Sequence, residues 1–188
     1  MVGSHKNKFI YFHLYKTGGT SIRNIVEKYS DFRGGKHDRP AKIIKEYGKK
    51  IYDDYYTIAF VRNPFDWQVS LYFFMLKDGS HPQHNLMKSF KTFEEYIEWR
   101  VSGKDLITQY EFLSEGSSND SPLTIDYIGK FEKINESVEY IKNKFNMSGN
   151  LPHLNKINHS PFMEYYNEKT QKMMREAFKI DFETFGYK

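Results

Sequence analysis

Cysteine is absent from the sequence, which excludes disulfides, thiolate metal centres and cysteine nucleophiles. No apolar run approaches the ~18 residues that a membrane helix needs, and the mean hydropathy is −0.73. The opening Met1-Val-Gly-Ser-His-Lys-Asn-Lys8 lacks the apolar stretch of a secretory signal. Residues 1–8 are expected to be a flexible N-terminus or a tag remnant, and residues 9–188 a single domain. Neither sign of charge dominates: 28 Lys and Arg face 24 Asp and Glu, a net +4. That excess is too small to point to nucleic acid, and it suits a small anionic ligand. No metal is implied, since there is no H-E-x-x-H pair and no EF-hand loop. Internal repeats and low-complexity tracts are missing as well. Rings, by contrast, are abundant, with 15 Tyr and 16 Phe, so the core is expected to be built around aromatic packing.

One stretch organises the rest. Phe9-Ile-Tyr-Phe-His-Leu-Tyr15 is apolar and β-prone and reads as a buried strand. Lys16-Thr-Gly-Gly-Thr-Ser21 follows at once, and Ile22, Ile25, Val26 and Tyr29 then recur at helical spacing. Strand, glycine turn and helix in that order suit an oxyanion. Glycines let the backbone come close, the first N–H groups of a helix lack intrahelical partners, and Lys16 adds a full charge. The usual triphosphate loop, G-x-x-x-x-G-K-[ST], places its lysine after the glycines, whereas here the lysine comes first. A glycine turn without a ligand is the plainer alternative at this stage.

Further along, Asp31 to Pro40 is a polar loop and Ala41 to Tyr47 a short helix. Tyr55-Tyr-Thr-Ile-Ala-Phe-Val61 is a second buried strand. Arg62-Asn-Pro-Phe-Asp-Trp67 follows it, with Asn63 placed to cap a helix and Pro64 to open it. Lys77 to Lys91 reads as a loop, and Thr92 with Glu95 has capping-box spacing. Ile125 to Gly129 reads as a short strand, Asn135 as the cap of another helix, and Lys169 to Lys179 as the last helix. This alternation predicts an α/β fold of three layers, a central parallel sheet flanked by helices on both faces. Ligands in such sheets sit beyond the carboxyl ends of the strands, where the Lys16 and Arg62 turns both fall.

Two separated motifs match one family. Lys16-Thr-Gly-Gly-Thr-Ser21 resembles the 5′-phosphosulfate loop of sulfotransferases that use 3′-phosphoadenosine 5′-phosphosulfate (PAPS). Val61-Arg-Asn-Pro-Phe-Asp-Trp-Gln-Val-Ser-Leu-Tyr72 resembles their 3′-phosphate segment, with Arg62 and Ser70 at the family's spacing. The carbohydrate sulfotransferases are the nearest in pattern; their first motif often reads P-K-T-G-G-T-S, and Tyr15 replaces that proline. Tyr127-Ile-Gly-Lys-Phe-Glu132 is similar to the family's I-G-R-[FY]-E, with Lys130 for arginine. Leu154-Asn-Lys156 and the closing Asp181 to Tyr187 also match the family pattern. The resemblance implies PAPS as co-substrate, adenosine 3′,5′-bisphosphate as product, and a carbohydrate or glycoconjugate hydroxyl as acceptor. It implies Lys16 as the group that meets the leaving phosphate, and Lys16, Thr17, Gly18, Gly19, Thr20, Ser21, Arg62 and Ser70 as the nucleotide-binding set. The resemblance also implies a P-loop-like form of the α/β fold. With neither a secretory signal nor a membrane anchor read in the sequence, a bacterial cytoplasmic setting is expected, whereas animal relatives usually carry a Golgi anchor, and the oligomeric state is left open.

The acceptor must lose a proton, and histidine is the usual base. His37 is the candidate, because related carbohydrate sulfotransferases carry a histidine or glutamate base in this loop and Lys36-His-Asp-Arg-Pro-Ala41 resembles H-x-[ST]-A. His13, within the first strand, reads as structural. His81, His84, His153 and His159 are candidate acceptor contacts, the last two flanking Lys156. Two readings follow: a sulfotransferase, or a non-catalytic module that binds a nucleotide or a sulfated glycan on the same scaffold. A kinase or NTPase is disfavoured, because its Mg²⁺ usually needs an acidic residue after a strand and the second strand here runs into Arg62.

Overall fold

A computed structural model describes residues 1–103, 106–151 and 160–188. His153, Lys156 and His159 lie outside the described residues. In chain order the elements are β1 (Val2–Ser4), β2 (Phe9–Phe12), α1 (Gly19–Val26), β3 (Phe32–Arg33), α2 (Pro40–Tyr47), α3 (Lys49–Asp53) and β4 (Tyr56–Val61). Then come α4 (Pro64–Lys77), α5 (His84–Ser89), α6 (Phe93–Ser102), α7 (Gln109–Leu113), β5 (Tyr127–Lys130), α8 (Ile134–Phe145), α9 (Glu168–Ala177) and α10 (Lys179–Phe185). Contacts divide the chain into two compact units, Met1–Arg62 with Gln109–Leu154 and Asn63–Thr108 with Asn155–Lys188.

The first unit holds a five-stranded open sheet in the order β3-β1-β2-β4-β5. Its centre is parallel: Phe12 pairs with Ala59, and Val61 with Lys130. Residues 1–8 correct the expectation of a flexible N-terminus. Val2, Gly3 and Ser4 pair antiparallel with Tyr11, Ile10 and Phe9, and Val2 and Gly3 pair with Arg33 and Phe32 on the other side. Val2 is 1% exposed because it joins the core. Polar flanks at Lys6 to Lys8 hide this strand from a reading by pattern.

β2 and β4 are apolar on both faces because both faces are covered. Phe9, Tyr11, Ile58 and Phe60 meet Ile22, Ile25 and Val26 of α1 and Val138 and Ile141 of α8. On the opposite face Phe12 meets Tyr52 of α3, ring centroids 6.2 Å apart. A mixed α/β unit with helices against both faces of a largely parallel centre is thus in place. Asn135 is not the cap of α8: a 3₁₀ turn over Phe131–Lys133 runs straight into the helix, so Lys133 caps it and Asn135 lies in the first turn.

In the second unit, the Asn63 side chain accepts from the Phe65 N–H at 3.0 Å and Pro64 opens α4. α4 is buried from Pro64 through Leu71. Its Gln68 Oε1 accepts from the Tyr96 hydroxyl at 2.8 Å and from Arg100 Nε at 3.3 Å. Tyr166 donates to the Phe65 carbonyl and packs edge-on against its ring. The expected loop of residues 77–91 contains α5, which buried Met87 anchors despite polar neighbours. The last helix is two, since the chain turns at Phe178 and resumes as α10. Thr92 caps α6 as its spacing predicts, but the Glu95 carboxylate accepts from the Lys91 N–H.

Candidate active site

The carboxyl end of β2 leads into a turn with two residues in the left-handed region, Lys16 at φ 64° and Gly18 at φ 78°. Gly18 accommodates this without strain and Lys16 does so less readily. Gly18 then accepts the Ser21 and Ile22 N–H groups at 3.0 and 3.2 Å, and α1 begins. The N–H groups of Gly18, Gly19 and Thr20 stand at the helix start, the positions an α-helix leaves without intrahelical partners. The positive end of the helix dipole adds to them. Thr20 is exposed, whereas Ser21 is buried.

Thr17 departs from the expected role of hydroxyl donor. It is fully buried, and its hydroxyl donates to the Leu14 carbonyl at 2.8 Å, so its proton shapes the turn. The second glycine has a steric reason. A Cβ at Gly19 would overlap Cδ2 and Nε2 of His13, whose ring lies against it. Gly18 is hemmed in by Ile134 and Phe131, 2.6 and 3.1 Å from where its Cβ would be.

Arg62, the first residue beyond β4, reaches this turn. Its Nη1 donates to the Lys16 carbonyl at 3.1 Å, and its guanidinium lies 4.2 Å from the centre of the Phe131 ring. Gln109 fixes its backbone. The amide oxygen of Gln109 accepts from the Arg62 N–H at 2.9 Å and its nitrogen donates to the Arg62 carbonyl at 2.7 Å. Gln109 therefore serves as a one-residue ladder partner at the end of β4. The two sequence motifs of this unit meet at Lys16 and Arg62, and Tyr127–Glu132 delivers Phe131 to both.

The electrostatics are one-sided. Burial first, and then the charges of Arg62 and Lys36, lower the Lys16 pKa to about 8. A partly buried turn that holds cations close together favours an anion.

His37 comes to the shoulder of the turn. Its Nδ1 donates to the His13 carbonyl at 2.8 Å, and its ring lies 4.9 Å from the His13 ring and 6.1 Å from that of Tyr15. Tyr15 also packs edge-on against Phe112. Burial lowers the His37 pKa below the ordinary 6.5, so its ring is neutral near pH 7. With Nδ1–H committed to a carbonyl, the lone pair sits on Nε2, as a base requires.

Ser70 belongs to the second unit, buried in the second turn of α4. His81 and His84 are there too. His84 Nδ1 bonds to the Met75 carbonyl at 3.1 Å, and His81 accepts from the Gln83 N–H. Gln109 and Phe131 went unnoticed as site residues. A lone glutamine carries no motif, while Phe131 stood inside the segment in which Lys130 drew attention. Among the described residues no group of three or more His, Asp or Glu is placed to hold a metal, and no helix is long and apolar enough to cross a membrane.

No curated protein and no solved structure matches the chain. One family model does, over residues 1–188, and it is that of the sulfotransferase family. A cationic glycine turn at a strand end and a match along the whole chain agree: the protein belongs to the sulfotransferase family.

Proposed function

We propose that the protein transfers a sulfuryl group from PAPS to a hydroxyl of a carbohydrate or glycoconjugate, on a P-loop-like scaffold. Sulfuryl transfer follows from the family, whose members normally use PAPS. The observation that carries the finer reading is the hydrogen bond from Arg62 to the Lys16 carbonyl, which joins both nucleotide motifs at one helix start. Within the first unit, backbone N–H groups and a lysine suit the 5′-phosphosulfate end and Arg62 suits the 3′-phosphate, while Ser70 is assigned to that phosphate by the family's spacing alone.

In this mechanism Lys16 and the N–H groups of Gly18, Gly19 and Thr20 hold the 5′-phosphate and neutralise the charge it gains as its bond to sulfur breaks. His37 Nε2 takes the proton from the acceptor hydroxyl as that oxygen bonds to sulfur. The products are a sulfate ester, adenosine 3′,5′-bisphosphate and a proton on His37. Alignment of donor and acceptor oxygens supplies much of the remaining rate.

His37→Ala separates the enzyme from a binding module. The variant is expected to bind adenosine 3′,5′-bisphosphate normally and to transfer labelled sulfate ~10²–10⁴-fold more slowly. The wild type binding the bisphosphate yet sulfating none of a broad panel of sugars refutes the enzyme. At 100-fold over its Kd the bisphosphate is expected to stabilise the fold by about 2.7 kcal/mol. AMP, without the 3′-phosphate, is expected to do much less.

A further inference from the structure

The imidazole of His13 has no part in that mechanism, yet its position is unusual for a core residue. The side chain is 4% exposed, and its Nδ1 is buried with no hydrogen-bond partner among the described residues. The opposite edge, Cδ2 and Nε2, lies against Gly19, the first residue of α1, where only a glycine leaves room for it. A polar ring is thus pressed against the helix start that carries the anion-binding N–H groups.

The neutral ring has one N–H and one lone pair, and its surroundings choose between the tautomers. Burial first, and then His37, Lys36 and Arg23, lower the His13 pKa to about 3, so the ring is neutral at working pH. The Tyr11 ring stacks beside it, ring centroids 6.2 Å apart. His13 Nδ1 is enclosed and without an acceptor, so a lone pair there costs less than an N–H. An enclosed N–H without an acceptor is the rarer and costlier orphan. The proton therefore belongs on Nε2, at the turn.

We propose that His13 is a further ligand of the anion site, with its Nε2–H donating to an oxygen of the 5′-phosphate end of the nucleotide beside the N–H groups of α1. This rests on the nucleotide reading given above. It gives the residue just beyond β2 a binding role and explains why the second glycine of the turn faces an imidazole. A neutral donor here adds a hydrogen bond without adding to the repulsion among Lys16, Lys36 and Arg62.

The test uses three variants and two ligands, with calorimetric Kd values for the full chain. His13→Phe keeps a ring and loses the donor. His13→Gln places an amide nitrogen close to the Nε2 position, whereas His13→Asn places one near Nδ1. Adenosine 3′,5′-bisphosphate carries the 5′-phosphate and adenosine 3′-monophosphate lacks it. Expected is a loss of about tenfold or more for His13→Phe and His13→Asn with the bisphosphate, recovery in His13→Gln, and no change with the monophosphate. Equal losses with both ligands, or wild-type affinity in His13→Phe, overturn the proposal. If the wild type itself does not distinguish the two nucleotides, the nucleotide reading has failed. The same variants titrated with inorganic pyrophosphate then decide the His13 contact alone: a loss confined to Phe and Asn supports it, and unchanged binding overturns it.

Discussion

Replacing Gln109 with methionine removes two hydrogen bonds while keeping length and volume. Gln109 is fully buried, and its amide serves both the N–H and the C=O of Arg62. Each buried main-chain group deprived of such a partner costs about 1–3 kcal/mol, so the pair costs about 2–6 kcal/mol. For a chain of this size 1 kcal/mol shifts Tm by about 2–4 °C. The melting temperature of Gln109→Met is therefore expected to fall by roughly 5–20 °C. Because Arg62 also holds the Lys16 carbonyl, bisphosphate affinity measured well below that melting point is expected to fall too. Gln109→Glu keeps the acceptor and loses the donor, and its carboxylate faces the Arg62 carbonyl, so it recovers only part of the loss. Scanning calorimetry and a binding titration suffice. A fall in Tm below about 2 °C with unchanged affinity refutes the role given to Gln109.

Lys16→Met is expected to abolish bisphosphate binding while raising the ligand-free Tm by a few degrees, about 1 kcal/mol after allowance for solvent screening. The sign follows from a folded pKa of about 8, below the ordinary 10.5: the charged lysine opposes folding below pH 8, and methionine removes that penalty. A lower Tm refutes it. Bisphosphate affinity is expected to fall as pH rises above about 8, by up to tenfold per unit, because the complex favours protonated Lys16. A flat affinity from pH 7 to 9.5 counts against that contact. Gly19→Ala is expected to destabilise by about 1–3 kcal/mol through overlap with His13, and to do so far less in a His13→Ala background. Additive melting shifts refute the coupling.

The sheet centre was legible because β2 and β4 are continuous apolar runs, and α1 because Ile22, Ile25 and Val26 recur on one face. The turn was legible because glycine, lysine and hydroxyl residues crowd into six positions. What escaped notice depends on partners far away in the chain. β1 is too short and too polar at its flanks to show a period, and only its pairing with β2 and β3 reveals it. Thr17 looks like a ligand by type, but its hydroxyl is claimed by Leu14 three residues earlier. Gln109 acts through two main-chain atoms of Arg62, a relation that residue type does not encode. His13 was read as structural from its place in a strand, where alternation says which face a side chain takes and nothing about what lies beside it.

The bond between Arg62 and the Lys16 carbonyl has a consequence for inheritance. The glycine turn and the arginine after β4 are far apart in the chain, yet they form a single mechanical part. A graft that brings a foreign 9–21 segment and keeps the resident arginine must still present a carbonyl at that one spot, with a backbone bent to match. Exchange of either half alone between family members will therefore fail more often than exchange of both, whatever acceptor each enzyme serves.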